Sequence, residues 1–180
     1  MHKGGRDLYD WLDHVWSWAD EIVVGDDRGS LKDKDITHML QWWGAKVVPC
    51  DMSIDYSVGR NQILKYCTGD VIVQLDYDER IQQISSIIRM VLLPPQAWMF
   101  SIDNLQKQGA AVVSETIRIF KNDKKVTYWG RLHETIDDYV KKERWTVSAS
   151  PVKITHYGYL NQDSKTAWNK MQKYIDINLA

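Results

Sequence analysis

Val71-Ile72-Val73-Gln74-Leu75 runs directly into Asp76-Tyr77-Asp78-Glu79. An apolar, β-branched run of this length reads as a buried strand. Two aspartates one residue apart then lie at its carboxyl end, where open α/β sheets bind their ligands. Paired hard oxygens there suit Mg²⁺ or Mn²⁺, with the coordination completed by substrate phosphates. The pattern predicts a metal–diphosphate site at Asp76 and Asp78; a solvated acidic turn fits the same residues.

Four other stretches carry chemistry-bearing side chains. Gly25-Asp26-Asp27-Arg28-Gly29-Ser30 follows a short apolar strand, so Asp26 or Asp27 is placed to accept hydrogen bonds from a base or ribose; Asp and Gly favour a surface turn equally well. Gly59-Arg60-Asn61 opens a helix, where the helix N-terminus and a guanidinium both favour phosphate; a solvated Arg60 paired with a surface acid such as Asp55 is the alternative. Gly130-Arg131-Leu132-His133-Glu134 offers Glu134 as a general base and Arg131 as an anion holder, or is an incidental charged loop. His156, between Thr155 and Tyr157, is a metal ligand, an orienter or neither.

These groups need a scaffold that brings strand ends together. Helical spacing marks 7–18, 33–43 (stopped by Gly44), 57–67 (with Ser57 as N-cap) and 81–92, ended by Pro94-Pro95. Short apolar strands fall at 21–25, 46–49 and 71–75. The β-α-β-α-β alternation predicts a doubly wound, mostly parallel α/β sheet. Strands at 97–102, 111–120, 125–128 and 152–155 extend it in a mixed or antiparallel manner, and 163–178 closes the chain as a helix. No repeat or linker interrupts the sequence, so residues 1–180 read as one domain.

The totals exclude several classes. A chain of 180 residues with 26% charged and 44% hydrophobic side chains is ordinary for a globular protein. A net charge of −1 argues against nonspecific nucleic-acid binding, which needs a basic surface. No apolar run reaches membrane-spanning length and no signal-peptide pattern opens the chain. Cys50 and Cys67 lack metal-ligand spacing and read as free thiols of a reducing, cytoplasmic compartment. Nine tryptophans suggest large core side chains, or aromatic faces for a ligand.

The order of motifs resembles the family 2 glycosyltransferases of GT-A fold, in particular a bacterial and archaeal subgroup. The resemblance rests on Ala19-Asp20-Glu21-Ile22-Val23-Val24-Gly25-Asp26-Asp27, Gly44-Ala45-Lys46-Val47, Tyr56-Ser57-Val58-Gly59-Arg60-Asn61, Cys67-Thr68-Gly69-Asp70 through Glu79, Gly130-Arg131-Leu132-His133-Glu134 and His156-Tyr157-Gly158-Tyr159. It implies a GT-A, Rossmann-like α/β/α sandwich, with a nucleotide-binding half over about 19–80 and an acceptor half over about 81–160. It implies an inverting, Mn²⁺- or Mg²⁺-dependent transfer from a UDP- or GDP-sugar to a hydroxyl of a glycan, lipid or protein. Asp76 and Asp78 match the family's metal motif, with Asp76 also near the ribose. Asp26 or Asp27 matches the base-reading acid and Arg60 the nucleotide-side arginine. Glu134 is the expected base, His156 the expected third metal ligand, and Arg131 and His133 the expected diphosphate or acceptor contacts. The family's first strand and Asn-Glu motif have no counterpart in the polar Met1–Arg6 stretch, which implies a shortened N-terminus. A degenerate, non-catalytic nucleotide- or glycan-binding module and a nucleotidyltransferase are the alternatives.

Overall fold

The computed structural model describes residues 3–29, 31–91, 95–158 and 160, with the backbone alone for 3–7, 84, 88, 89 and 91. The closing helix expected over 163–178 lies outside the described residues, as do Ser30, Pro94 and Tyr159. The fold is mixed α/β. Its first half runs α1 (Lys3–Trp16), β1 (Val23–Asp27), α2 (Lys34–Trp42), β2 (Lys46–Cys50), α3 (Tyr56–Leu64) and β3 (Val71–Val73). Its second half runs β4 (Glu79–Ile81), α4 (Ile84–Val91), β5 (Ala97–Asn104), β6 (Val112–Lys121), α5 (Asp137–Lys142), β7 (Val147–Ala149) and β8 (Ile154–His156). No helix among the described residues is long and apolar enough to cross a membrane.

Local chemistry explains the first-half boundaries. The Asp33 carboxylate accepts from the Asp35 N–H and caps α2. The helix stops where Gly44 turns to φ +69°, a conformation that costs glycine little. The expected cap of α3 shifts: Asp55, not Ser57, accepts from the N–H groups of Ser57 and Val58. The Ser57 hydroxyl instead donates to Asp55 at 2.6 Å. A carboxylate just ahead of the helix also complements its positive end.

β1 and β2 form a parallel pair, from Val23↔Lys46 to Asp27↔Cys50. A Cβ on Gly25 would lie 2.4 Å from Ile63 Cδ1, so glycine lets α3 close directly onto this pair. β3 ladders with β6, antiparallel, from Val71↔Lys121 to Val73↔Ile119. It belongs to a second, mixed sheet of order β3-β6-β5-β8-β4, with β7 also on β5. The long β5–β6 hairpin offers this three-residue strand an antiparallel edge, the slightly stabler pairing.

Three expectations are corrected. Ile81 belongs to a strand rather than to the following helix: β4 pairs with β8 through Ile81↔Ile154, and α4 begins only after Gln83 breaks the run at φ +55°. Residues 125–128 form no strand, because Asn61 occupies the backbone there. Its amide accepts from the Tyr128 N–H at 2.7 Å and donates to the Tyr128 carbonyl at 3.0 Å. The last strand starts at Ile154 instead of Val152, since Ser150 Oγ ties up the Val152 N–H and carbonyl at 3.0 and 2.8 Å.

The core divides into three clusters. Trp11, Leu12, Val15, Ile22 and Leu40 join α1 and α2 to the parallel pair. Phe100, Ile102, Ile119 and Ile154 pack β5, β6 and β8 with Ile87 and Met90 of α4. Ile72, Phe120, Tyr128, Ile136 and Val140 seat α5 on the other face. Most early tryptophans are therefore packing residues, while Trp16 and Trp42 are exposed.

Replacing Asn61 by alanine should cost about 1–3 kcal/mol, the scale for leaving buried backbone groups unpaired. Urea unfolding of Asn61→Ala measures it, and a loss below ~0.5 kcal/mol would show that the Tyr128 backbone finds other partners.

Candidate functional site

Arg60 lines a broad cleft of about 1970 Å³. α3 carries it, and Gly59 lets the helix sit tightly on the preceding loop: a Cβ there would lie 2.4 Å from Met52 Cγ and 3.1 Å from the Asp51 carbonyl. Arg60 Nη2 meets Asp76 Oδ1 at 2.5 Å, and Nε meets Glu134 Oε1 at 3.1 Å. Glu134 arrives on a tight turn closed by the reciprocal pair Trp129–Thr135 at 2.8 and 2.9 Å. Gly130 makes that turn at φ +102°, and the Tyr56 N–H donates to the Arg131 carbonyl at 3.0 Å.

A second ion pair lies beneath. Arg118 Nη2 meets Glu79 Oε1 at 2.6 Å, and both side chains are buried. Glu79 Oε2 accepts from the Asp76 N–H at 2.9 Å. Gln74 bridges the two guanidinium groups: with its oxygen facing them it accepts from Arg118 at 2.5 Å and Arg60 at 3.0 Å, while its NH₂ reaches the Tyr128 hydroxyl at 2.9 Å. The network assigns this amide orientation. The β5–β6 register shifts between Trp98 and Met99, leaving Arg118 as the extra residue of a bulge. Bulges of this kind re-aim a side chain. Arg118 Nε finds no hydrogen-bond partner among the described residues.

The third pair is Asp78 and His156. His156 Nε2 lies 3.3 Å from Asp78 Oδ2, and Nδ1 lies 2.8 Å from Asn104 Oδ1. Gly158 folds over this pair: a Cβ there would lie 2.4 Å from Asp78 Oδ2 and 2.6 Å from His156 Nε2.

Electrostatics follow from these contacts. Burial alone would raise Asp76, but the Arg60 and Arg118 charges and the Arg60 hydrogen bond overcome it and hold the carboxyl at about 2. Burial dominates at Glu79, which Arg118 offsets only in part, so its pKa rises to about 7. The hydrogen bond to Asp78 raises His156 against the effect of burial. Burial would lower Arg60, yet Asp76 and Glu134 raise it further.

The fold thus brings together Arg60, Asp76 and Glu134, and beside them Asp78 and His156. Asp27 lines the cleft, with Oδ1 accepting from the Met52 N–H at 2.9 Å. Asp26 Oδ1 accepts from the Leu31 N–H at 2.9 Å and is not among the lining residues. Arg131 and His133 are exposed on the turn. Sequence reasoning missed Gln74, Glu79, Asn104 and Arg118. An arginine inside the apolar run Ile117-Arg118-Ile119-Phe120 is a usable signal, since arginine is almost never fully buried unless paired.

Among the described residues no group of three or more His, Cys, Asp or Glu is arranged to hold a metal ion. Asp76 gives Oδ1 to Arg60, and Asp78 gives Oδ2 to a histidine whose two ring nitrogens are both engaged. The metal-binding, manganese reading of the strand-end aspartates is therefore corrected to one of protein ion pairs.

Two outcomes test this arrangement. Arg60→Ala should cost about 3 kcal/mol in urea unfolding, because Glu134 is left unpaired in a largely buried setting. Arg60→Lys should recover little, lacking the fork that spans both carboxylates; full recovery would make the site a simple point-charge contact. Glu79, with its folded pKa raised above 4.5 to about 7, keeps its proton longer in the folded state, so its contribution falls as pH rises through that window and is constant above it. Glu79→Gln should abolish that pH dependence, and an unchanged profile would contradict the assignment.

No family model matches the chain. The chain is similar to a protein of Synechococcus elongatus named a TPR repeat-containing protein, 33% identical over 156 residues that cover 82% of this chain and 38% of that protein. It therefore spans little over a third of that relative's length. These findings overturn the glycosyltransferase resemblance: no family match supports it, and the similar protein is named for repeats instead of sugar transfer. The transferase activity and its nucleotide-sugar donor fall with it, together with the two alternatives tied to them.

Proposed function

We propose that the chain is a non-catalytic recognition module that holds a cationic side chain of a protein partner at the mouth of the cleft, against Asp76 and Asp78. One observation carries the reading: the acids face outward and their cations lie inward. Asp76 and Asp78 side chains are 40% and 25% exposed, against 18% for Arg60 and 15% for His156. An approaching group meets carboxylates that are already oriented. A lysine or arginine there gains charge-assisted hydrogen bonds. Tyr77, between the two acids in sequence, and Tyr157, whose N–H donates to the Asp78 carbonyl at 2.9 Å, are both exposed and can add cation–π attraction of about 0.5–1 kcal/mol.

The Synechococcus relative is named for TPR repeats, helix–turn–helix units that stack into extended binding surfaces. The described helices of this chain are interleaved with strands. We read it as a recognition unit of the kind that accompanies such repeats. The order α1-β1-α2-β2-α3 is read as a Rossmann-like βαβ start on the strength of its alternation and the parallel β1–β2 pair, while β3 joins the other sheet. Residues 1–180 are taken as one unit because the cleft draws Arg60 and Asp76 from about 19–80, and Glu134 and His156 from about 81–160.

Fluorescence anisotropy with a labelled lysine-rich peptide tests the reading. Asp76→Asn combined with Asp78→Asn should weaken binding by about tenfold or more, given ~1.5–3 kcal/mol for a hydrogen bond to a charged group. Added salt should weaken the wild type and affect the variant less. Equal affinities would sink the proposal. So would stabilisation by MnCl₂ that the double variant loses, if the peptide fails to bind.

A further inference from the structure

We infer, building on the cleft reading above, that the partner segment binds in extended form, as an added strand along the open edge of β6. β6 is ten residues long. One side of it is laddered to β5 from Val112 to Phe120. On the other side β3 covers only Ile119 to Lys121, followed by one contact from the Gln74 N–H to the Arg118 carbonyl at 2.8 Å. After Gln74 the chain leaves the line of β3. Among the described residues no strand pairs with that side of β6 from Val112 to Ile117. Backbone N–H and C=O groups in such an edge are a template for another chain.

Glu115 is the one charged side chain that guards this edge. Proteins blunt exposed edges with lysine, proline, bulges or very short strands. Val112-Val113-Ser114-Glu115-Thr116-Ile117 contains neither lysine nor proline, and the bulge at Arg118 falls beyond it. Val112 and Val113 are 59% and 57% exposed. The slot continues the line of β3 and opens into the charged cleft: Ser114, Glu115, Thr116 and Arg118 line the same space as Asp76, Asp78 and His156.

Charge selects the occupant. A strand added here passes the exposed Glu115 and then the outward carboxylates of Asp76 and Asp78. Side chains alternate faces along a strand, so a segment with a basic residue at every second position directs its cations to one face. A second copy of this chain would bring its own Glu115 against that acidic edge. A basic, extended segment of another protein fits the slot where a copy of this chain repels itself.

A fluorescein-labelled peptide of alternating lysine and threonine is the probe. Consecutive strand residues turn their N–H groups to opposite sides. Of Val113→Pro and Ser114→Pro, one therefore removes an outward donor and spares the β5 ladder, and urea unfolding identifies which. That variant should bind the peptide at least about tenfold more weakly, the effect of losing a strand hydrogen bond and closing the edge to pairing. In the wild type, peptide should slow amide exchange within 112–117. Wild-type affinity in the folded proline variant, with binding lost on Asp76→Asn/Asp78→Asn, would overturn strand addition and leave the cleft reading standing. Wild-type affinity in both variants would remove both. A dimer in sedimentation without peptide, protecting the same amides, would overturn it in favour of self-pairing.

Discussion

Arg60 is the group on which the site depends. Its fork reaches Asp76, just past β3, and Glu134, on the turn closed by Trp129 and Thr135. Three segments distant in sequence are thereby held at one point. A guanidinium can span two carboxylates in fixed geometry where an ammonium cannot. Breaking one side of such an arrangement leaves a charge poorly solvated, which costs more than the contact contributes. Gly59 and Asn61 flank Arg60 and serve the same end: one lets α3 pack tightly on Met52, the other pins the Tyr128 backbone ahead of the turn.

The second layer makes the first one rigid. Glu79 and Arg118 form a buried pair directly below, and Gln74 links both guanidinium groups. The bulge in β6 inserts Arg118 into this layer without disturbing the rest of the β5–β6 ladder. In two of these pairs, Arg60–Asp76 and His156–Asp78, the carboxylate is the more exposed partner, so two acids reach solvent there although the chain as a whole carries only −1. That local polarity, rather than net charge, is what a partner meets.

Much of the first half was legible from residues 7–78 alone. Apolar periodicity marked α1, α2 and α3, and Gly44 ended α2 as its lack of a Cβ suggests. Asp76, Arg60 and Glu134 were singled out, and they meet. What sequence could not supply was long-range. Tyr128 loses its strand to a side chain of α3, 67 residues away. Ile81 joins β4 because Ile154 lies opposite it. α5 and β7 carry only short apolar patterns, too brief for periodicity to detect. The motif order suggested a transferase by resemblance, and the strand-end aspartates suggested a metal because paired hard oxygens suit one. In the folded chain those same aspartates each pair through one oxygen with Arg60 and His156, a pairing that spacing within a motif cannot reveal.

The central claim is that the outward carboxylates recognise a cation directly. A charge-swap cycle addresses it most directly: Asp78→Lys is paired with a peptide in which glutamate replaces the contacting lysine, and all four combinations are titrated. The account predicts that each single swap weakens binding and that the double swap restores most of it, a coupling of about 1 kcal/mol or more. Additive losses, with no recovery in the double swap, would contradict it.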